Sequence, residues 1–456
     1  MTEPVNQGHL PDFAPLVGAY LARQDWAQTA LGSFGESSLP VEVIDVEVLR
    51  TEHPGMASVI VSCRDCTFHL VLGWRPVGVA PGVLGAQSDA VLGPGHDGTG
   101  DVLVYTALAD SELLVHLLRA VTGGQELARR GRVVQSLVSH SSLVFDDRLF
   151  MKCYRVIEPG PRPEVEMVQR LDAAGFNHML APVGSWQRNG RDLALVREFV
   201  PGAVEGLALA RTSLRDLLAR ADTSEHGAAF ADVGLAGGDL GPEMRRLGET
   251  TARMHLALAD AFGTESLPSG TGAMPMIGTE TLATGGTWSP VAQAIRVHGD
   301  YHLRRVMRTD GGWLVAGFGD DPLMGSSAGA ASQGEGRFAS PLEDVVDLCC
   351  SLQIAASEAV ELQTYRTRAH ARLLGQGWWE HNVSGFLSGY LATAGIDLLV
   401  PGDPAEVRAA VSRLLGARAG GGGPAGAGAI SASSAGSASS ASSERAASSA
   451  SDGSTT

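Results

Sequence analysis

The sequence predicts an α+β chain in which strand-rich segments fill the first two hundred residues and helices dominate the remainder. Three observations carry that expectation. VEVIDVEVLR (41–50) alternates apolar and polar residues, the period of a half-buried strand. RVVQSLVSHSSLVFDDRLFMKCYRV (132–156) reads as strand, turn, strand, with Asp146-Asp147 at a tight turn. Beyond Gly202, stretches such as EMRRLGETTARMHLALADAF (243–262) place apolar residues at helical spacing.

Taken in order, SVIVSC (58–63) and TFHLVLGW (67–74) continue the first strand-rich unit across an Arg64-Asp65 turn. Pro81–Gly100, rich in Gly, Pro and Asp, reads as a loop, and residues 110–121 read as a helix. PEVEMVQRLDAAG (163–175) is a helix closed by Gly175, and DLALVREFVPGA (192–203) is a strand ended by Pro201-Gly202. Two short strands around Gly311-Gly312 interrupt the helical half, which resumes at residue 344. The domain organisation expected is 1–128 as an N-terminal cap with its connecting helix, 129–201 as a strand-rich lobe, 202–418 as a helical lobe, and 419–456 as a disordered Gly/Ala/Ser tail. Gly325–Gly336 has the composition of a mobile loop.

The 456 residues contain 44% hydrophobic residues, enough for a sizeable core. Fifty acidic residues against 34 basic ones give a net charge of -16, which disfavours nonspecific nucleic-acid binding. No run of about 18 uncharged apolar residues predicts a membrane span. No basic region followed by an apolar run marks a secretory signal, and five cysteines suit a reducing compartment, so a cytoplasmic location is expected. Cys63 and Cys66 read as hairpin cysteines, because no second ligand pair accompanies them. Met151, Met307 and Trp378-Trp379 read as packing residues, and Leu348–Ile354, with Cys349 and Cys350, as buried helix.

Lysine occurs once, at Lys152. Arginine has taken every other basic position, and its planar fork does not replace a compact ammonium in a tight phosphate site. Lys152 follows a hairpin with a Ser-rich bend (Ser139, Ser141, Ser142), an arrangement in which backbone N–H groups and an ammonium face phosphates together. Glu164 and Glu166 open the next helix, and Glu166 is the expected partner of the lysine. His298-Gly299-Asp300-Tyr301-His302 follows a short apolar strand, and Asp300 is placed to take the proton of an attacking hydroxyl.

These segments resemble the actinobacterial maltokinases and glucosamine kinases. The resemblance rests on RLFMKCYRVIEPGPRPEVEM, LVREFVPGAVEGLALARTSLRDL, RRLGETTARMHLALA, VHGDYHLRRVMRTDGGWLV and SPLEDVVDL, spread over about residues 130 to 395. It implies a two-lobed protein-kinase-like (aminoglycoside-phosphotransferase-like) α+β fold with an N-terminal strand-rich cap. It also implies ATP as nucleotide and a small sugar as acceptor, with a possible protein partner in glycogen or trehalose metabolism. Lys152 would meet the nucleotide phosphates and Glu166 would position it, while Arg197, Glu198, Phe199 and Val200 would line the adenine hinge. Asp300 would be the base, with His298, His302 and Arg305 on the substrate side.

Two positions depart from the pattern the resemblance implies. The family run H-G-D-x-H-L-G-Q ends in a Gln that serves as metal ligand, and here that position is Arg305. The main Mg²⁺-ligating Asp of D-F-E-G-E-P is here Gly317, with Asp320 and Asp321 as the available substitutes. The Tyr-, Arg- and Trp-containing segment near the sugar site has no counterpart after Tyr390. The expectation is a sugar-kinase-like chain with lost or weakened catalysis; the alternative is an active ATP-dependent kinase of maltose or an amino sugar with a non-standard metal site.

Overall fold

The computed structural model describes residues 10–32, 37–85, 87–223, 238–266, 293–318, 338–400 and 402–421. The Gly/Ala/Ser tail beyond 421, the Gly325–Gly336 segment, and Asp320 and Asp321 lie outside the described residues. Contacts divide the chain into residues 1–411 and 412–456; of the second unit, the described part is the end of the last helix.

The first unit opens with α1 (Phe13–Leu21) and α2 (Asp25–Leu31), followed by β1 (Glu42–Arg50), β2 (Gly55–Cys63), β3 (Cys66–Pro76), α3 (Ala80–Leu84), β4 (Val91–Asp97), β5 (Gly100–Thr106) and α4 (Ser111–Val121). The five strands form an antiparallel sheet in the order β1-β2-β3-β5-β4. Its inward positions, among them Val59, Val61, Phe68, Leu72 and Trp74, pack against Phe13, Val17 and Leu21 of α1. The expected loop at 81–100 therefore contains a strand. Gly93 and Gly95 hide it in the sequence, yet Trp74 Nε1 donates to Asp97 Oδ2 at 3.1 Å and ties β4 down. Cys63 and Cys66 are opposite one another across the β2–β3 turn and form no disulfide, with Arg64 at φ 55°.

A second antiparallel sheet, ordered β6-β7-β8-β10-β9, comprises β6 (Gly131–Ser136), β7 (His140–Phe145), β8 (Leu149–Tyr154), β9 (Pro182–Arg188) and β10 (Arg191–Glu198). Helix α5 (Pro163–Ala173) crosses between β8 and β9. Asp146 and Asp147 turn β7 into β8 with φ of 47° and 50°, a conformation that Asp tolerates better than most residues. The Asp146 carboxylate also accepts from Arg129 N–H and Arg130 N–H at 2.7 and 3.0 Å.

The helical part comprises β11 (Val204–Glu205), α6 (Gly206–Thr223), α7 (Gly241–Phe262), β12 (Glu265–Ser266), β13 (Gln293–Arg296), β14 (Val306–Thr309), β15 (Gly312–Val315), β16 (Phe338–Ala339), α8 (Leu342–Glu361), α9 (Tyr365–Ala392) and α10 (Pro404–Gly421). Helices α7 and α9 meet backbone to backbone: a Cβ at Gly248 would lie 2.0 Å from Phe386 O, and one at Gly389 would lie 1.9 Å from Arg245 O. Trp378 is buried against Ser213, to which its Nε1 donates at 2.9 Å, and Trp379 Nε1 donates to Cys349 O at 3.1 Å. Met151 is buried in β8. In the expected buried run 348–354, Leu348, Cys349 and Leu352 are buried, but Ile354 turns outward, 46% exposed on the far side of α8. No helix among the described residues is long and apolar enough to cross a membrane.

Candidate functional site

Strand β8 presents Lys152 on one face of the second sheet, opposite Ser142 of β7 and Leu195 of β10. Helix α5 starts at Pro163, whose missing N–H costs nothing at a first helical position. Glu164 in that first turn reaches back to the sheet. Lys152 Nζ donates to Glu164 Oε1 at 2.8 Å and to Oε2 at 2.9 Å. Arg197 Nη2 donates to Oε1 at 3.0 Å, and Tyr154 Oη to Oε2 at 3.3 Å. Burial pushes the Glu164 carboxyl up, but Lys152 and Arg197 more than reverse that and hold it at about 2. Burial lowers the Lys152 ammonium, with Glu164 opposing and Arg197 and Arg305 adding to the effect.

The partner of the lysine is thus Glu164, a correction to the expected Glu166. Glu166 lies two residues further round the helix and instead accepts from Arg296 Nη1 at 2.7 Å. That bond joins α5 to β13, the strand that leads into the His298–His302 loop. Arg197 also differs from expectation: its side chain is 4% exposed and bonds to Glu164 in the Lys152 cluster. In the hinge, Glu198 is exposed and donates its N–H to Ala181 O, and Phe199 N–H is taken by Arg148 O, both before the Val200–Ala203 turn.

The Ser-rich bend is corrected as well. The turn is Leu137–Ser139, closed by Leu137 N–H to His140 O at 2.9 Å, and β7 begins at His140. Ser141 and Ser142 are strand residues. Ser142 shares the Lys152 face, whereas Ser141 pairs with Cys153 on the reverse, fully buried. Ser139 is buried beside His140 Nδ1 at 2.9 Å, and its carbonyl accepts from Arg155 N–H at 2.8 Å.

The loop after β13 is built on a buried acid to which the sequence alone assigns no role. Asp344, at the start of α8, accepts from His298 N–H at 2.8 Å, Gly299 N–H at 3.1 Å and His255 Nε2 at 3.2 Å. His255 Nδ1 accepts in turn from Tyr390 Oη at 2.9 Å. Its signal is present only as a carboxylate in SPLEDVVDL, whose partners lie 45 and more residues away. His298 is 1% exposed, a buried support where a substrate-side residue was expected. Its Nε2 donates to Ala316 O at 3.2 Å and its Nδ1 accepts from Asp300 N–H at 3.3 Å; burial lowers its pKa to about 4. The imidazole is a neutral brace that fixes the Asp300 backbone.

Asp300 itself is half-exposed, but its carboxylate is engaged. Arg305 Nε donates to Oδ2 at 2.9 Å, Arg305 Nη2 makes a shorter contact to the same oxygen, and His302 Nε2 stands 3.4 Å from Oδ1. Burial works to raise the Asp300 pKa, yet His302 and Arg305 hold it well below the usual carboxylate range. The remaining face of Arg305 lies on Gly317. A Cβ at Gly317 would stand 2.7 Å from Arg305 Nη1 and 2.8 Å from Cδ, and Gly317 has φ of +71°.

Magnesium requires oxygen ligands in near-octahedral array. At positions 305 and 317 the described residues do not fit it: Gly317 offers no side chain, and Arg305 puts a guanidinium where a side chain from 317 would project. No group of three or more His, Cys, Asp or Glu among the described residues could hold a metal ion. Lys152, Arg197 and Arg305 form instead a cationic set suited to phosphate oxygens.

These features define a two-lobed, protein-kinase-like α+β fold with a strand-rich cap. The chain superposes on a solved structure of a glucosamine kinase in complex with glucosamine, ADP and inorganic phosphate, with a TM-score of 0.51 and 19% identity, over 89% of this chain and 96% of that one. Among characterised proteins it is similar to the glucosamine kinase of Streptacidiphilus jiangxiensis, 27% identical over 275 residues, and to that of Mycolicibacterium smegmatis, 25% identical over 285. These alignments cover 52% and 58% of this chain, and 59% and 66% of the relatives, so the chain matches less than two thirds of either. No family model matches the sequence.

Proposed function

We propose that the chain is a nucleotide-binding relative of the glucosamine kinases whose phosphotransfer is lost or greatly weakened. The observation that carries this reading is the clamp of Arg305 on Asp300. A general base works best with a pKa near the operating pH, because proton transfer weakens as the base becomes less basic. Asp300 is held in the opposite direction, and its Oδ2 is already bound by a guanidinium. Nucleotide binding is supported by Lys152, fixed by Glu164 over the cleft, with Arg197 beside it. The glucosamine kinases named above supply the substrate class: an amino sugar and ATP.

A second reading is an active ATP-dependent kinase of maltose or an amino sugar. It is favoured by the intact support of the loop, where Asp344, His255, Tyr390 and His298 are all in place.

The test is ADP formation from ATP with glucosamine, glucose or maltose, in Mg²⁺ and in Mn²⁺, against an Asp300→Ala control. The proposal expects ATP to raise the melting temperature, an effect lost in Lys152→Ala, and sugar-dependent turnover no higher than the control. Turnover clearly above the control establishes the second reading in its place.

A further inference from the structure

Resting on the nucleotide-binding reading, we propose that this site takes the polyphosphate of its nucleotide without a divalent cation, with the Arg305 guanidinium as resident counter-charge.

Space is the first constraint. Position 317 has φ of +71°, a conformation that favours glycine, and its missing side chain is the volume that Arg305 fills. Arg305 Nη1, Cδ and Cζ stand 2.7, 2.8 and 3.2 Å from where a Cβ would be. A carboxylate at 317 and an arginine at 305, in this position, exclude one another. The arginine is also anchored at both ends. Its N–H donates to His302 O at 2.8 Å, and its carbonyl accepts from Ala316 N–H at 2.8 Å, so the backbone that launches it is bonded to the residue preceding Gly317.

Charge leads to the same conclusion. The charged groups brought together by β8, α5, β10 and the Asp300 loop include three cations, Lys152, Arg197 and Arg305, and two carboxylates, Glu164 and Asp300. The set is net positive before any ion arrives. Glu164 is shared by Lys152 and Arg197, while Oδ2 of Asp300 is taken by Arg305 and Oδ1 faces His302. A divalent cation entering here would meet a guanidinium at close range, with both described carboxylates already committed. A polyphosphate would meet cations from both β8 and the Asp300 loop. A planar guanidinium binds phosphate oxygens in pairs, which gives it the orienting role that a bridging metal has elsewhere.

The experiment is calorimetric titration of the full chain with ATP, once in excess EDTA and once in excess Mg²⁺. The expected result is binding in both, with affinities that agree within about threefold. Arg305→Gln should weaken binding in EDTA by about tenfold or more, as loss of a charge-assisted contact does. Arg305→Gln combined with Gly317→Asp should make binding depend on Mg²⁺. Circular dichroism checks that each variant is folded, and Arg305→Met serves as a second neutral replacement if Arg305→Gln is not. Binding that strengthens about tenfold or more with Mg²⁺ in the native chain overturns the inference while leaving nucleotide binding intact. Loss of that enhancement in Asp320→Ala or Asp321→Ala would locate the metal instead. Unchanged EDTA binding in folded Arg305 variants overturns the role of Arg305. Absence of ATP binding in both buffers removes the nucleotide-binding reading itself.

Discussion

Arg305 and Gly317 occupy one volume between them: the guanidinium stands 2.7 Å from where a side chain at 317 would begin, and its other edge holds Asp300. The two positions are therefore coupled in space. With the arginine in this position, a side chain at 317 would have to displace it, and the glycine leaves the space that the arginine fills.

Gly317→Ala should destabilise the protein by about 1–3 kcal/mol, from the positive φ and from the collision with Arg305 together. In an Arg305→Gln background the collision is relieved and only the backbone strain remains. Urea denaturation of the two single variants and the double variant should therefore give a coupling of about 1 kcal/mol. Strict additivity would mean that the two positions are independent.

Glu164 and Glu166 are two residues apart on α5 but should behave differently. Glu164→Gln leaves Lys152 and Arg197 buried without their carboxylate and should cost about 3–5 kcal/mol. Glu166→Gln affects a pair whose acid is 29% exposed although Arg296 is 7% exposed, and should cost less, about 1–2 kcal/mol. The stability supplied by Glu164 is complete above its ordinary value of 4.5 and is lost as pH falls toward about 2, so acid unfolding in that window should be shallower in Glu164→Gln. Equal costs for the two variants would return the lysine partnership to an open choice.

Two buried histidines set a second pH window. His69 donates from Nδ1 to Tyr154 O at 2.9 Å and accepts at Nε2 from Ser58 Oγ at 3.1 Å, so it must stay neutral, as must His298. Burial lowers both from 6.5 to about 4. The unfolded chain takes up these protons first, so the stability they confer is full above pH 6.5 and drains away as pH falls toward 4. Denaturation midpoints should drop between pH 6.5 and 4, and the drop should be smaller in His69→Gln, whatever its stability at neutral pH. An unchanged slope would show that His69 does not contribute.

Asp344→Asn should loosen the loop that carries Asp300. The amide keeps one acceptor oxygen for three donors and turns a donor of its own toward His298 N–H, Gly299 N–H or His255. A loss of about 2–3 kcal/mol is expected by urea denaturation. Faster amide exchange at Gly299 and Asp300 should accompany it; protection equal to the native chain would place the loop's support elsewhere.

What the sequence made legible was chemistry of rare composition. A single lysine and the His-Gly-Asp-x-His run stand out against an arginine-rich background, and Arg305, just beyond that run, acts electrostatically on the lysine. What it hid was geometry. The choice between Glu164 and Glu166 depends on where α5 starts, and only the placement of Pro163 at the first helical turn turns Glu164 toward the sheet. Ser141 and Ser142 read as a bend because serine favours turns, but their register beside Cys153 and Lys152 makes them strand. Strand β4 was masked by its glycines and by Pro94, since its stability comes from long-range pairing with β5 and not from propensity. Asp344 was invisible as a support because a carboxylate in sequence does not announce which distant N–H groups it will meet.

The strand that bears Lys152 does not stop at the second sheet. Within a few residues it has become part of the cap: His69 N–H donates to Arg155 O, Ile157 N–H donates to Thr67 O, and Val156 joins the cluster of Phe13, Phe68 and Trp74. The cap is thus spliced to the lysine strand and cannot be regarded as an accessory that could be shed. A chain begun at residue 129 would expose Val156, strand its flanking amides, and slacken the backbone from which Lys152 projects, so any change in the cap's packing is transmitted directly to the only lysine in the molecule.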